Sequence, residues 1–404
     1  MKQVYIIDYI RTPIAKFQGG LSEVRADDLA AIVLKEIVKR NPQIPAEEIE
    51  DVILGCANQA GEDNRNVARM ASLLAELPIK IGGETVNRLC ASGMAAIANA
   101  YRAIAIGEGD FYIAGGVEQM TRAPYVLSKS AQPFGRDVQL FDSSFGWRFV
   151  NPKMKELYGV DGMGETAENL AEIYKISREA QDEFALHSQQ KATSAQNSGR
   201  LAQEIVNVEI PQKKGEPKIF SQDEFVKPDT TLDKLAKLRP AFKKEGGSVT
   251  AGNSSGLNDG AAAMILASED AVKKYNLKPL AKIISSAVVG VEPRIMGIGP
   301  VEATKKALSR ANLSLEDMDI IELNEAFAAQ ALSVLQELGI DAKDERLNPN
   351  GGAIALGHPL GMSGTRIVGT AALELQKNNK KYALCTLCIG VGQGYAMIIE
   401  NVNL

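Results

Sequence analysis

Short hydrophobic stretches alternate along the chain with longer stretches in which hydrophobic residues recur every three or four positions. The short stretches are rich in Val, Ile, Leu, Ala and aromatic residues, and they predict buried strands. These strands are Val4–Ile7, Asp51–Leu54, Phe111–Ala114, Ala262–Ala267, Ile320–Leu323 and Tyr382–Leu387. The longer stretches predict helices at Asp28–Arg40, Ala91–Ile106, Ser177–Ala195 and Pro300–Arg310. The alternation indicates an α/β fold built in layers.

The pattern occurs twice along the chain. Asp51 precedes Cys90, and Asp319 precedes His358, by the same interval of 39 residues. Both Cys90 and His358 lie beside small residues, ahead of a predicted helix and then a hydrophobic strand. Matching flanks in register favour an internal duplication. Two copies of one unit meeting around a pseudo-twofold would bring Cys90 and His358 towards a shared centre.

Residues 122–249 interrupt this pattern and are more polar than the flanking segments. We therefore predict three domains. Residues 1–121 with 250–274 form the first half, residues 122–249 form an inserted loop domain that covers a large substrate, and residues 275–404 form the second half.

Composition narrows the class of protein. The chain has 404 residues, of which 45% are hydrophobic and 24% charged, as in a soluble globular protein. A net charge of −5 gives no support for nucleic-acid binding. No stretch approaches the roughly 18 consecutive apolar residues of a membrane span. The first residues show no signal peptide, and we expect a cytoplasmic protein with reduced thiols.

Cys90 is the first candidate for chemistry. It lies in the segment NRLCASGM at 87–94, at the predicted start of a helix. The helix macrodipole and the unpaired N–H groups there favour a thiolate, and so a nucleophile. A buried structural role is the commoner one for a lone Cys. The small residues around Cys90 favour the nucleophile, because they allow backbone or ligand to approach closely.

His358 and Asn324 are further candidates. His358 lies among five glycines in NPNGGAIALGHPLGMSG at 348–364, where the backbone is set by sharp turns. Since the chain has only two His residues, His358 is a candidate base or oxyanion donor, the alternative being a surface-loop residue. Asn324 follows a predicted strand, a usual place for a site residue in α/β folds. Taken alone, Asn324 is interpreted as a helix cap.

Cys385 and Cys388 form a C-x-x-C pair in CTLCIGVGQG at 385–394. A zinc site normally needs a second such pair or two His residues, and neither is evident. Because a separation of three in a strand puts side chains on opposite faces, we expect Cys385 in the core and Cys388 at the strand end.

These segments together resemble the thiolase family. NRLCASGM, NEAF at 324–327, NPNGGAIALGHPLGMSG and CIGVGQG are similar to its nucleophile, Asn, His and second-Cys motifs, in the family's order. Further similar segments are GGVEQMTRAPY at 115–125, MGETAENLA at 163–171 and VTAGNSSGLNDGAAA at 249–263. The resemblance covers nearly the whole chain. It implies two duplicated α/β halves with an inserted loop domain, assembled as a homodimer or homotetramer.

The resemblance also implies roles for individual residues. Cys90 resembles the nucleophile that becomes acylated, and His358 resembles its base. Cys388 resembles the acid/base at the acetyl-CoA α-carbon. Asn324 resembles the residue that holds a water, which with His358 forms an oxyanion hole for the enolate.

A second oxyanion hole and a substrate-binding set follow from the same resemblance. The N–H groups of Cys90 and Gly390 resemble the hole for the tetrahedral intermediate. The substrate- and CoA-binding candidates are Ser255, Met163, Ala326 and Phe327. The reaction implied is cleavage of a 3-oxoacyl-CoA by CoA, with CoA as a cosubstrate and no metal or other cofactor.

Longer segments indicate the acyl group. VRADDLAA at 24–31, LGCANQAGEDNRNVARMA at 54–71 and FGWRFVNPKMKELYGVDGM at 145–163 are similar to 3-oxoadipyl-CoA thiolases of aromatic degradation. A distal carboxylate on that substrate needs a cation, and Arg122, Arg136 and Arg148 are candidates. The alternative is that these arginines pair with Asp, Glu or CoA phosphates.

Three other functions are compatible with parts of the pattern. A general acetyl-CoA C-acetyltransferase would use the same catalytic residues with a different acyl pocket. A ketoacyl-synthase-type condensing enzyme usually lacks the second Cys, so Cys388 disfavours it. A non-catalytic lipid-carrier protein on this scaffold would be expected to lack Cys90, His358 or Cys388.

Overall fold

The structure, a computed structural model, describes residues 2–403 as strands and helices arranged around one large sheet. The strands are β1 (Val4–Arg11), β2 (Ala15–Lys16), β3 (Ile49–Gly55), β4 (Gly82–Val86), β5 (Phe111–Gln119), β6 (Tyr125–Leu127), β7 (Leu140–Asp142), β8 (Val208–Ile210), β9 (Lys218–Phe220), β10 (Asn258–Ser268), β11 (Ala281–Gly290), β12 (Ile320–Leu323), β13 (Tyr382–Ile389) and β14 (Gln393–Glu400). The α-helices are α1 (Ala26–Arg40), α2 (Val67–Leu74), α3 (Ser92–Ile106), α4 (Pro152–Tyr158), α5 (Met163–Ile173), α6 (Arg178–Asn197), α7 (Leu232–Ala236), α8 (Glu269–Lys274), α9 (Gly299–Ala311), α10 (Ala328–Leu338), α11 (Ala353–Leu356) and α12 (Leu360–Lys377).

Eight strands of the ten-stranded sheet, β12 to β3, are arranged symmetrically about its centre. Its order is β12-β13-β14-β11-β1-β10-β5-β3-β4, with β2 attached to β10. From the central pair β1 and β11, each direction passes through two antiparallel pairings and then a parallel one, to β3 on one side and β12 on the other. The predicted repeat produces this order. The domain boundaries at 121, 249 and 274 stay a prediction.

All six predicted strands are confirmed. Most of them extend beyond the residue ranges that were predicted from the hydrophobic pattern. The predicted helix at Ala91–Ile106 begins one residue later, at Ser92, because Leu89–Ala91 forms a 3-10 turn. The helix predicted at Ser177–Ala195 is α6, and Ser177 caps it, since its hydroxyl accepts a hydrogen bond from the Ala180 N–H.

Helices α3 and α12 pack against each other and against β5. Their contact depends on glycine, because side chains there would meet backbone. A Cβ at Gly93 would lie 2.6 Å from the Gly361 carbonyl oxygen, and one at Gly364 would lie 2.3 Å from the Met94 nitrogen. This close approach brings the N-terminal ends of the two helices together.

The segment predicted as an insertion contains four helices, α4 to α7, and two small antiparallel hairpins, β6–β7 and β8–β9. Buried ion pairs attach it to the central sheet. The guanidinium of Arg11 on β1 donates to Glu204 at 2.7 Å and to Asp223 at 2.7 Å. Because all three side chains are excluded from solvent, removing one would leave a buried unpaired charge.

One stretch of the described residues, Leu89–Ile106, is long and apolar enough to cross a membrane. Two-thirds of it is buried inside the protein, as expected for a core helix.

Candidate active site

Cys90 lies in the 3-10 turn between β4 and α3. Leu89 adopts φ +47°, a conformation that is uncommon for a residue with a branched side chain. The Ser92 hydroxyl accepts the Arg88 N–H at 2.8 Å and donates to the Leu89 carbonyl at 2.7 Å. These contacts fix the turn and hold the Cys90 sulfur in a buried position, with the side chain 8% exposed.

The backbone N–H groups of Gly390 and of Cys90 itself favour the thiolate of Cys90 and so act to lower its pKa. Burial raises the pKa of the Cys90 thiol to about 11, and these two N–H groups lower it only in part. The predicted contribution of the N–H groups is present, but burial outweighs it. In the unliganded protein Cys90 is therefore a thiol that needs a base.

His358 lies between α11 and α12, in a turn that begins at Gly357 with φ +106°. Its backbone N–H donates to Asn258 Oδ1 at 2.9 Å. Its ring Nδ1 lies 2.6 Å from the Ser363 hydroxyl, which donates to the Pro359 carbonyl at 2.9 Å. Since the Ser363 proton is used there, the contact assigns the ring proton to Nδ1 and leaves the lone pair on Nε2.

Burial, together with the positive charge of Arg366, lowers the pKa of His358 to about 3. The imidazole is neutral at physiological pH, as a general base must be.

Asn324 follows β12 and lies beside His358. Its Nδ2 is 3.4 Å from His358 Nε2, and its N–H donates to the Thr386 carbonyl at 3.0 Å. The interpretation of Asn324 as a helix cap is wrong, because α10 begins at Ala328 with Phe327 as its N-cap. Asn324 Oδ1 is buried and has no hydrogen-bond partner within residues 2–403, so it can accept a further hydrogen bond.

Cys388 lies near the end of β13 and is fully buried. Burial and the nearby Cys90 raise its pKa. Cys385 lies on the opposite face of the strand, with its sulfur 3.6 Å from the Ile367 carbonyl, as the strand spacing predicts. All four cysteines are free thiols.

One cavity of about 220 Å³ brings the predicted residues together. Cys90, His358 and Cys388 line it, and so do all four predicted binding residues, Met163, Ser255, Ala326 and Phe327. Asn324 and Gly390 do not line it. Asn324 contacts His358, and the Gly390 N–H acts to lower the pKa of Cys90. The Ser255 hydroxyl donates to the Ala326 carbonyl at 3.0 Å, which fixes this side of the cavity.

Sequence reasoning missed several apolar residues of the wall, namely Met120, Phe145, Phe242, Leu257, Met296 and Leu360. Met120 and Leu360 lie within segments whose similarity had been recognised, so position within a motif was an available signal. Phe145 was part of a recognised segment but was not singled out. Phe242 and Met296 belong to stretches without a periodic pattern.

The three arginine candidates differ in their surroundings. Arg122 forms a two-point ion pair with Glu62, at 2.6 and 2.7 Å, so the alternative prediction of carboxylate pairing holds for it. Arg136 is exposed. Arg148 is half-buried, and its guanidinium donates to the Ser143 carbonyl at 3.4 Å.

One buried group of potential metal ligands lies outside the cavity lining: Cys56, Asp63 and Glu118. The Cys56 thiol donates to Asp63 at 3.4 Å, and Glu118 accepts backbone N–H groups from Ala57, Asn58 and Gly361. Protein hydrogen bonds therefore satisfy these groups. Burial raises the pKa of Glu118 to about 7.

The chain matches two family models, the thiolase N-terminal domain at residues 4–270 and the thiolase C-terminal domain at residues 277–401. It is 59% identical over 402 residues to the 3-oxoadipyl-CoA/3-oxo-5,6-dehydrosuberyl-CoA thiolase of Escherichia coli (strain K12), with 100% of both chains covered. It is 58% identical over 402 residues to a beta-ketoadipyl-CoA thiolase of Acinetobacter baylyi, again with 100% of both covered. The crystal structure of the Bacillus anthracis acetyl-CoA acetyltransferase matches it with a TM-score of 0.92 at 42% identity, covering 100% of this chain and 99% of that one.

Proposed function

Because the chain belongs to the thiolase family of acyltransferases, we propose that it cleaves 3-oxoadipyl-CoA with CoA to give succinyl-CoA and acetyl-CoA. The observation that carries the proposal is the convergence of Cys90, His358 and Cys388 in one apolar cavity. The full-length identity of 58–59% to thiolases named for this substrate supports the acyl group.

The first step is attack by Cys90 on the 3-oxo carbon. His358 Nε2 takes the thiol proton as the sulfur forms a bond to that carbon. The N–H groups of Cys90 and Gly390 stabilise the oxyanion of the tetrahedral intermediate. Since neither the thiol nor the imidazole is charged in the empty cavity, proton transfer accompanies the attack on bound substrate rather than preceding it.

The second step is cleavage of the bond between carbons 2 and 3. The electron pair passes to the acetyl-CoA portion as an enolate, whose oxygen accepts hydrogen bonds from protonated His358 Nε2 and from a water held by Asn324. Cys388 donates its proton to carbon 2, and acetyl-CoA leaves. The product on the enzyme is a succinyl thioester of Cys90.

CoA completes the turnover. Its thiol gives a proton to the Cys388 thiolate and attacks the succinyl thioester, and Cys90 leaves as thiolate and recovers a proton from His358. A thioester intermediate suits this exchange, because it remains reactive towards another thiol. The steps use side chains, backbone N–H groups, a bound water and CoA as cosubstrate.

The test is CoA-dependent loss of 3-oxoadipyl-CoA compared with acetoacetyl-CoA on the same enzyme. We expect kcat/KM to be at least about tenfold higher for 3-oxoadipyl-CoA, as one additional charged hydrogen bond can provide. A preference for acetoacetyl-CoA would instead assign a general acetyl-CoA C-acetyltransferase, the function for which the Bacillus anthracis relative is named.

We also propose that the enzyme is cytoplasmic and acts as a homodimer or homotetramer. Size-exclusion chromatography with light scattering tests the assembly, and a monomer at micromolar concentration would contradict it.

A further inference from the structure

The cavity around Cys90 contains no group that can neutralise a second carboxylate. Among the described residues that line it, none is charged at neutral pH. A carboxylate placed in such surroundings without a partner is strongly disfavoured. A cation just beyond the apolar wall is therefore required if the acyl chain ends in a carboxylate.

We propose that Arg148 binds the distal carboxylate of the acyl chain and sets the preference for dicarboxylic 3-oxoacyl-CoA. This inference rests on the proposed function. Phe145, three residues earlier in the same loop, forms part of the cavity wall. The loop that contributes Phe145 to the cavity wall thus also carries Arg148.

Hydrogen bonds link the loop that carries Arg148 to the segment that precedes Cys90. Its guanidinium donates to the Ser143 carbonyl, and the same carbonyl accepts the Asn58 side-chain amide at 2.8 Å. The neighbouring Ala57 carbonyl accepts the side-chain amide of Asn87 at 3.0 Å. Asn87 lies three residues before the nucleophile, so this chain of contacts connects the Arg148 loop to the turn that holds it.

Arg148 also has free hydrogen-bonding capacity. A guanidinium has five N–H donors, and among the described residues 2–403 the only acceptor for this one is the Ser143 carbonyl at 3.4 Å. Within residues 2–403, no carboxylate lies within salt-bridge distance of Arg148. Arginine binds a carboxylate through two parallel N–H groups, which adds directional preference to charge.

Three other cations close in sequence to wall residues are already paired. Arg122 is bound by Glu62 at two points. Arg294, two residues from the wall residue Met296, pairs with Asp161 at 2.9 Å. Lys243, next to the wall residue Phe242, pairs with Glu172 at 3.2 Å.

The experiment compares 3-oxoadipyl-CoA with 3-oxohexanoyl-CoA, which has the same number of acyl carbons but no distal carboxylate. Wild type, Arg148→Gln, Arg148→Lys and Arg136→Gln are measured with both. We expect Arg148→Gln to lower kcat/KM for 3-oxoadipyl-CoA by about 10- to 100-fold, the effect of losing a charged hydrogen bond. Activity on 3-oxohexanoyl-CoA should stay within about twofold, since its binding does not use the cation.

The remaining variants test whether the effect depends on the charge of the side chain, on the geometry of the guanidinium or on its position in the chain. Arg148→Lys keeps the charge but not the paired N–H groups, and we expect a smaller loss. Arg136→Gln alters an exposed arginine of the same segment and should match wild type. An equal loss on both substrates, no loss with Arg148→Gln, or a selective loss with Arg136→Gln would overturn the assignment. Failure of wild type to cleave 3-oxoadipyl-CoA would instead overturn the proposed function, before Arg148 is changed.

Discussion

The turn that carries Cys90 and the turn that carries His358 occupy corresponding places in the two halves, yet they are braced differently. Each precedes a central helix that leads into an inner strand, α3 into β5 and α12 into β13. In the first turn of each helix a serine makes the brace. Ser92 binds the backbone of Arg88 and Leu89, just before Cys90, whereas Ser363 binds the imidazole of His358.

The difference follows from what each residue must supply. The N–H of Cys90 acts to lower the pKa of its own thiol, so we expect the backbone of that turn to take part in the chemistry. The backbone N–H of His358 is used by Asn258, and what matters there is which ring nitrogen carries the proton. In the proposed mechanism one half thus provides the nucleophile and one oxyanion donor, the Cys90 N–H. The other half provides the base of fixed tautomer and the second donor, the Gly390 N–H.

Replacing the nucleophile should reduce activity more than any other change to the two turns. Cys90→Ser puts an alcohol of high pKa where the thiol was, and we expect turnover to fall by at least about 10⁴-fold. Cleavage kinetics and intact-mass detection of the acyl-enzyme measure the loss. Turnover within tenfold of wild type would contradict the assignment of Cys90.

Cys388→Ala tests the proton donor that the second half adds from β13. We expect deuterium exchange at the acetyl-CoA α-carbon, followed by NMR, to fall by about 10²- to 10⁴-fold. Acylation of Cys90 should persist. The matched control is Cys385→Ala, on the opposite face of the same strand, which should leave exchange intact. Equal exchange in both variants would move the proton role elsewhere.

Gly93→Ala tests the helix contact that brings the two turns together. The added carbon would lie 2.6 Å from the Gly361 carbonyl oxygen and 2.9 Å from the Thr365 nitrogen, and backbone cannot rotate away. We expect the free energy of unfolding to fall by about 1–3 kcal/mol. The control is Gly290→Ala, whose added carbon would meet only the Gly392 carbonyl oxygen, at 3.9 Å. Urea midpoints that coincide for the two variants would show that the contact is loose.

Ser363→Ala tests whether Ser363 fixes the tautomer of His358, and it has the smallest expected effect. It removes the acceptor at His358 Nδ1 and so releases the ring tautomer. We expect kcat to fall by about 3- to 10-fold, the value of one neutral hydrogen bond, with KM unchanged. Steady-state kinetics measure both constants. A change in KM alone would mean that Ser363 shapes the cavity and does not fix the base.

The α/β layers were predictable from the sequence because hydrophobic periodicity records burial directly. The strand Ile320–Leu323 is confirmed at both ends, since every residue in it is buried. The exact start of α3 was not predictable, because the 3-10 turn at Leu89–Ala91 depends on hydrogen bonds made by Ser92.

Only those site residues that lie within recognisable sequence motifs were predictable. Cys90, His358 and Cys388 lie in recognisable segments, and the structure gathers them around one cavity. Phe242 comes from a polar stretch and reaches the wall through packing against Phe327, with ring centroids 6.1 Å apart. Such a contact spans residues remote in sequence, and no local pattern indicates it. The roles assigned to these residues stay predictions.

The central position of β1 has a consequence for synthesis on the ribosome. β1 is the first strand to emerge, yet both of its neighbours in the sheet, β10 and β11, begin at Asn258 or later. At about 5–20 residues per second, translation needs on the order of 10–50 s to supply them. The nascent first half therefore waits with apolar strand edges exposed and with its Cys90 segment not yet packed against α12. We expect this interval, rather than the finished fold, to set the enzyme's demand for chaperones.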